Sequence, residues 1–172
     1  IRRRTRPERL YAVTPSLGGV ELLQADYHAH RFAPHAQDRA VLAVASEGEA
    51  VVWGAGRMLP MRPGEVLFIP PGVVHSAATL GEDTWRYRAL YLTTTQIRHL
   101  MTGQPGGADL LALGPAVLAA PRASEALTTV HRRILAEGDV GTEAEQQLHE
   151  LLGELGRELV RWWDAPPGGR AA

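Results

Sequence analysis

Four of the seven histidines lie in the first half of the chain, at positions whose spacing points to one shared site. His28, His30 and His35 are close together, and His75 ends the pattern Gly-x5-Pro-x-Gly-x2-His that begins at Gly64. The glycines and the proline break the chain on both sides of a short apolar strand, so His75 should begin the next strand and face inward. Imidazoles gathered in this way bind a metal ion or hydrogen-bond a small polar ligand.

An aromatic ladder follows in the segment Trp85-Arg-Tyr-Arg-Ala-Leu-Tyr91. Because successive side chains of a strand point to opposite faces, Trp85, Tyr87 and Tyr91 share one face. A buried tyrosine needs a partner for its hydroxyl group, so an inward ladder can both stack on a ligand and donate to it. The alternative is that these rings simply fill the interior.

Short β segments separated by turns carry these residues. Many short strands that follow one another at intervals of about 8–12 residues predict an antiparallel barrel or sandwich. The predicted strands are Leu10–Val13, Val20–Phe32, Ala40–Ser46, Glu49–Trp53, Met58–Met61, Val66–Ile69, Val73–Thr79, Trp85–Leu92 and Pro115–Ala119.

After residue 92 the apolar residues recur every three or four positions, as they do along one face of a helix. It predicts helices over Thr93–Met101, over Ser124–Glu137 with Ser124 as N-cap, and over Thr142–Trp163. The last two should pack as an antiparallel pair, with part of their apolar stripe covering the barrel and the rest pairing with a second chain. An intramolecular core is the alternative for this stripe. The residues predicted to form the dimer interface are Leu148, Leu151, Leu152, Leu155, Leu159 and Trp162.

The composition excludes several classes of protein. The chain has 172 residues, of which 45% are hydrophobic and 22% charged, which is typical of one globular domain. It contains no cysteine, so disulfide scaffolds, zinc fingers and thiol catalysis are excluded. No apolar stretch is long enough for a transmembrane helix. All 18 basic residues are arginine, which indicates GC-rich coding and favours a bacterial protein. We expect the protein to be cytoplasmic.

The order of these features resembles the N-terminal ligand-sensing domain of AraC-type transcriptional regulators. The segment Gly64–His75 is similar to the second cupin motif, and the resemblance runs over about residues 10–164. It rests on His28-x-His30-Arg-Phe32-x-Pro-His35, Gly48, Arg62-Pro-Gly64, the Gly64–His75 motif and Trp85–Tyr91. It implies a mainly β fold, a cupin-like, jelly-roll antiparallel barrel followed by two antiparallel helices. It also implies a small-molecule effector, an arm over the effector, pairing of two subunits through the helices, and DNA binding by a separate helix-turn-helix domain.

The first cupin motif is incomplete. Where the resemblance implies a second histidine and a glutamate, this chain has Gln37 and then Val41 or Leu42. We therefore expect no cofactor and no enzymatic activity, with a divalent metal held by His35 and His75, and by Gln37 or His30, as the alternative. His28 and His30, expected on one strand face, could repair such a site. The residues predicted to bind the ligand are His28, His30, His35, Gln37, His75, Trp85, Tyr87 and Tyr91.

Four segments follow from the resemblance: a basic arm over 1–16, a ligand-sensing barrel over 17–120, a helical dimerisation segment over 121–164, and the start of a linker over 165–172. We expect a homodimeric effector sensor that reaches DNA and the transcription machinery only through a domain absent from this chain, with no membrane contact. Two alternatives remain: a small metal-dependent cupin enzyme, of dioxygenase or isomerase type, and an interaction module with a filled barrel.

Overall fold

A computed structural model describes residues 8–14, 18–81, 84–103, 110–138 and 141–164; side chains are described for these except at 8–12 and 163–164. The linker predicted at 165–172 lies outside the described residues, as does most of the predicted arm. Among the arm residues that are described, Glu8–Val13 forms a strand along the edge of a sheet.

The described residues form strands and three helices. The strands are β1 Glu8–Val13, β2 Glu21–His28, β3 Arg31–His35, β4 Arg39–Glu47, β5 Ala50–Gly54, β6 Arg57–Met61, β7 Val66–Ile69, β8 His75–Thr79, β9 Thr84–Thr93 and β10 Ala116–Leu118; the helices are α1 Thr94–Leu100, α2 Pro121–Glu137 and α3 Thr142–Asp164.

The strands make two antiparallel sheets. One has six strands in the order β1-β2-β9-β4-β7-β10, and the other has four in the order β3-β8-β5-β6. Their inner faces pack together, because one apolar cluster joins Ala43 and Trp85 of the six-stranded sheet to Val52 and Ala77 of the other. The predicted fold class, a β-barrel of antiparallel sheets with C-terminal helices, is confirmed.

A second apolar cluster lies on the outer face of the six-stranded sheet. Strand alternation turns Leu22, Leu42 and Leu90 outward, where α2 and α3 cover them. Leu155, on α3, is completely buried in this layer. The two helices therefore cover the outer face of the six-stranded sheet.

Two predicted boundaries are wrong. The strand predicted over Val20–Phe32 is divided, because β2 ends at His28, Ala29 has a φ of 43°, and β3 pairs in the other sheet. Ser124 is not an N-cap: α2 begins at Pro121, whose missing N–H costs nothing in the first turn. Within the described part of the chain, none of the helices combines the length and the hydropathy that a membrane span requires.

Candidate functional site

A cavity of about 230 Å³ lies between the two sheets. Its wall is mostly apolar and aromatic, and its polar groups come from His35, Gln37, His75, Tyr27 of β2 and three aromatic residues of β9. Among the described residues, no aspartate, glutamate or arginine lines it. A cavity of this kind suits an uncharged ligand, since an ion would lose its hydration without gaining a partner.

Two histidines meet at one side of the cavity. His35 and His75 are direct partners in the register of β3 and β8, and their ring centroids are 4.4 Å apart. The turn before His75 is tied to the segment after His35, because the Gly72 N–H donates to the Gln37 carbonyl at 2.8 Å. The local turn chemistry of the motif thus sets the distance between the two rings.

Each ring of this pair is held by the backbone. Nδ1 of His35 donates to the Ala33 carbonyl and Nδ1 of His75 to the Val73 carbonyl, both at 2.9 Å. Since a carbonyl oxygen only accepts, both neutral rings carry the proton on Nδ1 and keep a lone pair on Nε2. Burial lowers the pKa of His75; the bond to Val73 raises it in part, and His35 lowers it again. In its neutral form each ring of the pair therefore offers an acceptor at Nε2.

The opposite wall is a stack of aromatic rings. Trp85 stacks on Tyr87 with centroids 4.2 Å apart, and Tyr87 stacks on Tyr27 at 6.0 Å. Phe32 meets Tyr27 edge to face at 4.8 Å. The indole Nε1 of Trp85 is buried and has no hydrogen-bond partner. A buried donor without a partner costs about 1–3 kcal/mol, which an acceptor on a ligand would recover.

The structure brings six of the eight predicted ligand-binding residues to the cavity wall: His35, Gln37, His75, Trp85, Tyr87 and Tyr91. The other two lie elsewhere. His28 is exposed at the end of β2, and His30 stacks on Tyr27 at 4.6 Å, outside the lining. The expectation that His28 and His30 share a strand face is wrong, because the chain turns at Ala29.

Sequence reasoning missed Tyr27 and Phe32. The signal for Tyr27 was present, because the alternation of β2 places Leu23, Ala25 and Tyr27 on one face and His28 on the other. Phe32 carried no such signal, since it reaches the cavity from a strand of the other sheet.

Comparison with known families agrees with this architecture. The model of the AraC-like ligand binding domain matches residues 17–155. The chain belongs to this family. Comparison of this AraC-like domain with the sequences of curated proteins gave no match.

Solved structures similar to this AraC-like domain are cupin barrels. One is a Cupin 2 conserved barrel domain protein from Salinispora arenicola CNS-205, with 19% identity, covering 58% of this chain and 84% of that chain at a TM-score of 0.44. Another is a cupin superfamily protein from Desulfitobacterium hafniense DCB-2, with 16% identity, covering 54% and 83% at a TM-score of 0.46.

The donor set of this AraC-like domain does not fit a catalytic metal. Catalytic metal sites in proteins use about three nitrogen or carboxylate ligands with an open position. His35 and His75 supply two, Gln37 adds only an amide, and Val41 occupies the wall without a donor. No group of three or more His, Asp or Glu side chains suited to a metal occurs among the described residues.

The leucines predicted for dimerisation are packed inside the AraC-like domain. Leu148, Leu151, Leu152, Leu155 and Leu159 are at most 1% exposed and contact the sheet and α2. Trp162 is partly buried beside them, with the Arg57 guanidinium 4.4 Å from its ring centroid. While the domain stays folded, these leucines are therefore not accessible to a second chain.

Proposed function

We propose that this chain is the effector-sensing part of a cytoplasmic bacterial transcription regulator, and that the barrel cavity binds its effector. Membership of the AraC-like ligand-binding family supports the sensing role. The single observation that carries the proposal is the buried, unpartnered Nε1 of Trp85, a residue whose side chain helps to line the cavity. In this proposal the chain is not an enzyme, and a separate helix-turn-helix domain binds DNA.

The cavity wall indicates the chemistry of the effector. A small uncharged molecule fits, because about 230 Å³ holds the volume of roughly eight waters, and no aspartate, glutamate or arginine of the described segments lines the cavity. An acceptor on the molecule takes the hydrogen of Trp85 Nε1. A donor reaches Nε2 of His35 or His75, since both rings keep that lone pair. An apolar or planar body packs on Tyr87 and its stacked neighbours.

One strand connects the cavity to the helices. On β9, Tyr87 and Ala89 face the barrel interior, whereas Leu90 and Leu92 face α2 and α3. A ligand that moves this strand also moves the layer beneath the helices, and a coupling of about 1–3 kcal/mol is enough for a regulatory response. We infer that the effector alters how residues 121–164 pair two subunits.

A thermal-shift screen of small molecules tests the proposal. Uncharged molecules should raise Tm, because binding stabilises the folded state. Trp85→Phe removes the indole donor and keeps an aromatic ring, so the dissociation constant of a hit should rise about tenfold. The matched control is Trp53→Phe, on the outer face of β5, which should leave binding unchanged. Equal binding in both variants would place the effector outside the cavity.

A further inference from the structure

A second concave surface lies between α2 and the outer face of the six-stranded sheet. It is a groove of about 570 Å³, on the opposite side of the sheet from the barrel cavity. Its polar lining comes from Gln24 and Arg88 of the sheet and from Thr129, Arg132 and Arg133 of α2. Among the described residues, no acidic side chain lines this groove.

The strand register explains why these groups meet. Gln24 of β2 and Arg88 of β9 are direct partners, and both point away from the barrel interior. Thr129 lies three and four residues before Arg132 and Arg133, so one face of α2 presents all three. His131 fixes the helix over the sheet, because its Nε2 donates to the Leu23 carbonyl at 3.0 Å.

The neighbouring arginines already have carboxylate partners. Arg86 pairs with Asp26 at 2.7 Å and with Glu47 at 2.6 Å. Arg133 pairs with Glu143 at 2.6 Å. These three carboxylates near the groove are therefore already paired with Arg86 or Arg133.

Arg88 and Arg132 differ from them. Neither has a carboxylate within 4.0 Å in the described part of the chain, and Nε of Arg88 is buried without a hydrogen-bond partner. The pKa of Arg88 is lowered by burial and by the nearby charges of Arg132 and Arg86. Two like charges that face one groove without a counter-ion repel each other, and a bound anion removes that repulsion.

We propose that Arg88 and Arg132, with Gln24 and Thr129, bind a small oxyanion, a phosphate group, in this groove. Guanidinium groups bind phosphate oxygens through paired N–H donors, and the amide and hydroxyl complete the shell. The C-terminal dipole of α2 opposes an anion here, so binding depends on the two guanidiniums. This site goes beyond the proposed effector function, since it lies on the other side of the sheet and takes a charged ligand.

Isothermal titration calorimetry with inorganic phosphate, at constant ionic strength against chloride, tests this site. Phosphate should bind the unmodified chain, and Arg88→Gln and Arg132→Gln should each weaken binding at least tenfold. The matched control is Arg122→Gln, an exposed arginine at the other end of α2, which should leave binding unchanged. Arg132 is exposed, so its variant remains informative if Arg88→Gln fails to fold.

A second titration with glycerol 3-phosphate identifies the source of the phosphate group. Tighter binding than inorganic phosphate indicates the headgroup of a phosphorylated metabolite, and weaker binding indicates the free ion. Two results overturn the site: heat no larger with phosphate than with chloride, or equal affinity in Arg132→Gln, Arg122→Gln and the unmodified chain.

Discussion

The imidazole rings of His35 and His75 face each other across two adjacent strands, with their centroids 4.4 Å apart and their planes inclined by 56°. Each ring donates from Nδ1 to the backbone carbonyl two residues before it, at 2.9 Å. This shared arrangement leaves the Nε2 lone pair of each ring available, and no carboxylate of the described residues lines the cavity beside them. Such a pair accepts hydrogen bonds from a ligand, and it supplies two ligands to a metal.

Removal of divalent metal should leave the protein unchanged. Two imidazoles and the Gln37 amide fall short of the three strong ligands that hold a transition metal. We expect Tm to be the same before and after dialysis against EDTA, and elemental analysis to find far less than one metal per chain. A stoichiometric metal that disappears in both His35→Ala and His75→Ala would overturn this expectation and favour a metal-dependent enzyme.

Stability should decrease in mild acid because of His131. Burial lowers the pKa of His131 to about 4, whereas the unfolded chain has the ordinary value near 6.5. The unfolded state therefore binds the proton more tightly, so the contribution of this group is complete above about pH 6.5 and is lost as pH falls towards 4. The full loss is about 3 kcal/mol. Urea unfolding at pH 8 and pH 5 measures the part that is lost by pH 5, about 2 kcal/mol.

His131→Gln keeps a donor for the Leu23 carbonyl but does not titrate, so its free energy of unfolding should change less between the two pH values. His75, whose pKa burial also lowers, affects both proteins alike. The control is His99→Gln, an exposed histidine beside Glu145, which should behave like the unmodified chain. If His131→Gln shows the same pH dependence as the unmodified chain, another group is responsible.

Filling the cavity should abolish ligand binding without destabilising the fold. Ala43 is 2% exposed and lies in the cavity wall. Ala43→Leu adds three carbons to empty space, so the free energy of unfolding should stay the same or rise by up to about 2 kcal/mol, at about 0.8 kcal/mol per buried carbon. Thermal-shift hits should disappear. Ala136→Leu, on the exposed side of α2, should retain them; hits that persist in Ala43→Leu argue against the cavity.

Shortening one leucine of α3 should weaken the fold of the single chain. Leu155 is fully buried against the sheet. Leu155→Ala should lower the free energy of unfolding by about 2–5 kcal/mol, since it leaves a void in a packed core. Leu80→Ala, at an exposed position, should cost little. Sedimentation at the same protein concentration distinguishes the alternative, because a dissociated but stable Leu155→Ala chain would make this leucine an interface residue.

Two glycines with the same backbone conformation should respond differently to a methyl group. Gly48 has a φ of +73° and Gly56 a φ of +72°, so alanine strains both by about 1 kcal/mol. A Cβ at Gly48 would lie 1.9 Å from the Thr84 carbonyl oxygen, whereas a Cβ at Gly56 would meet no described atom within 4 Å beyond its own residue and chain neighbours. Chemical denaturation should therefore show a clearly larger loss for Gly48→Ala. Equal losses would mean that β9 moves aside.

Local patterns predicted much of the cavity. The alternation of β9 placed Trp85, Tyr87 and Tyr91 on one face, and the turn residues around Pro70 and Gly72 placed His75 at the start of an inward strand. These predictions depend on residues close together in the chain, whose geometry is set by φ and ψ preferences. The break at Ala29 was not predictable in this way, because a non-glycine residue rarely takes a positive φ.

The sequence alone determined the spacing of the apolar residues in each segment. That spacing predicted the barrel, the helices and the side chains that face inward. Only the tertiary structure decided which apolar face met which partner. The leucine stripe of α3 was compatible with a dimer or a core, and packing against α2, α1 and the edge strand β10 made it core. In the same way Arg88 and Arg132, far apart in the chain, meet because α2 packs across β9. Burial and charge pairing are properties of that packing, so no local pattern contains them.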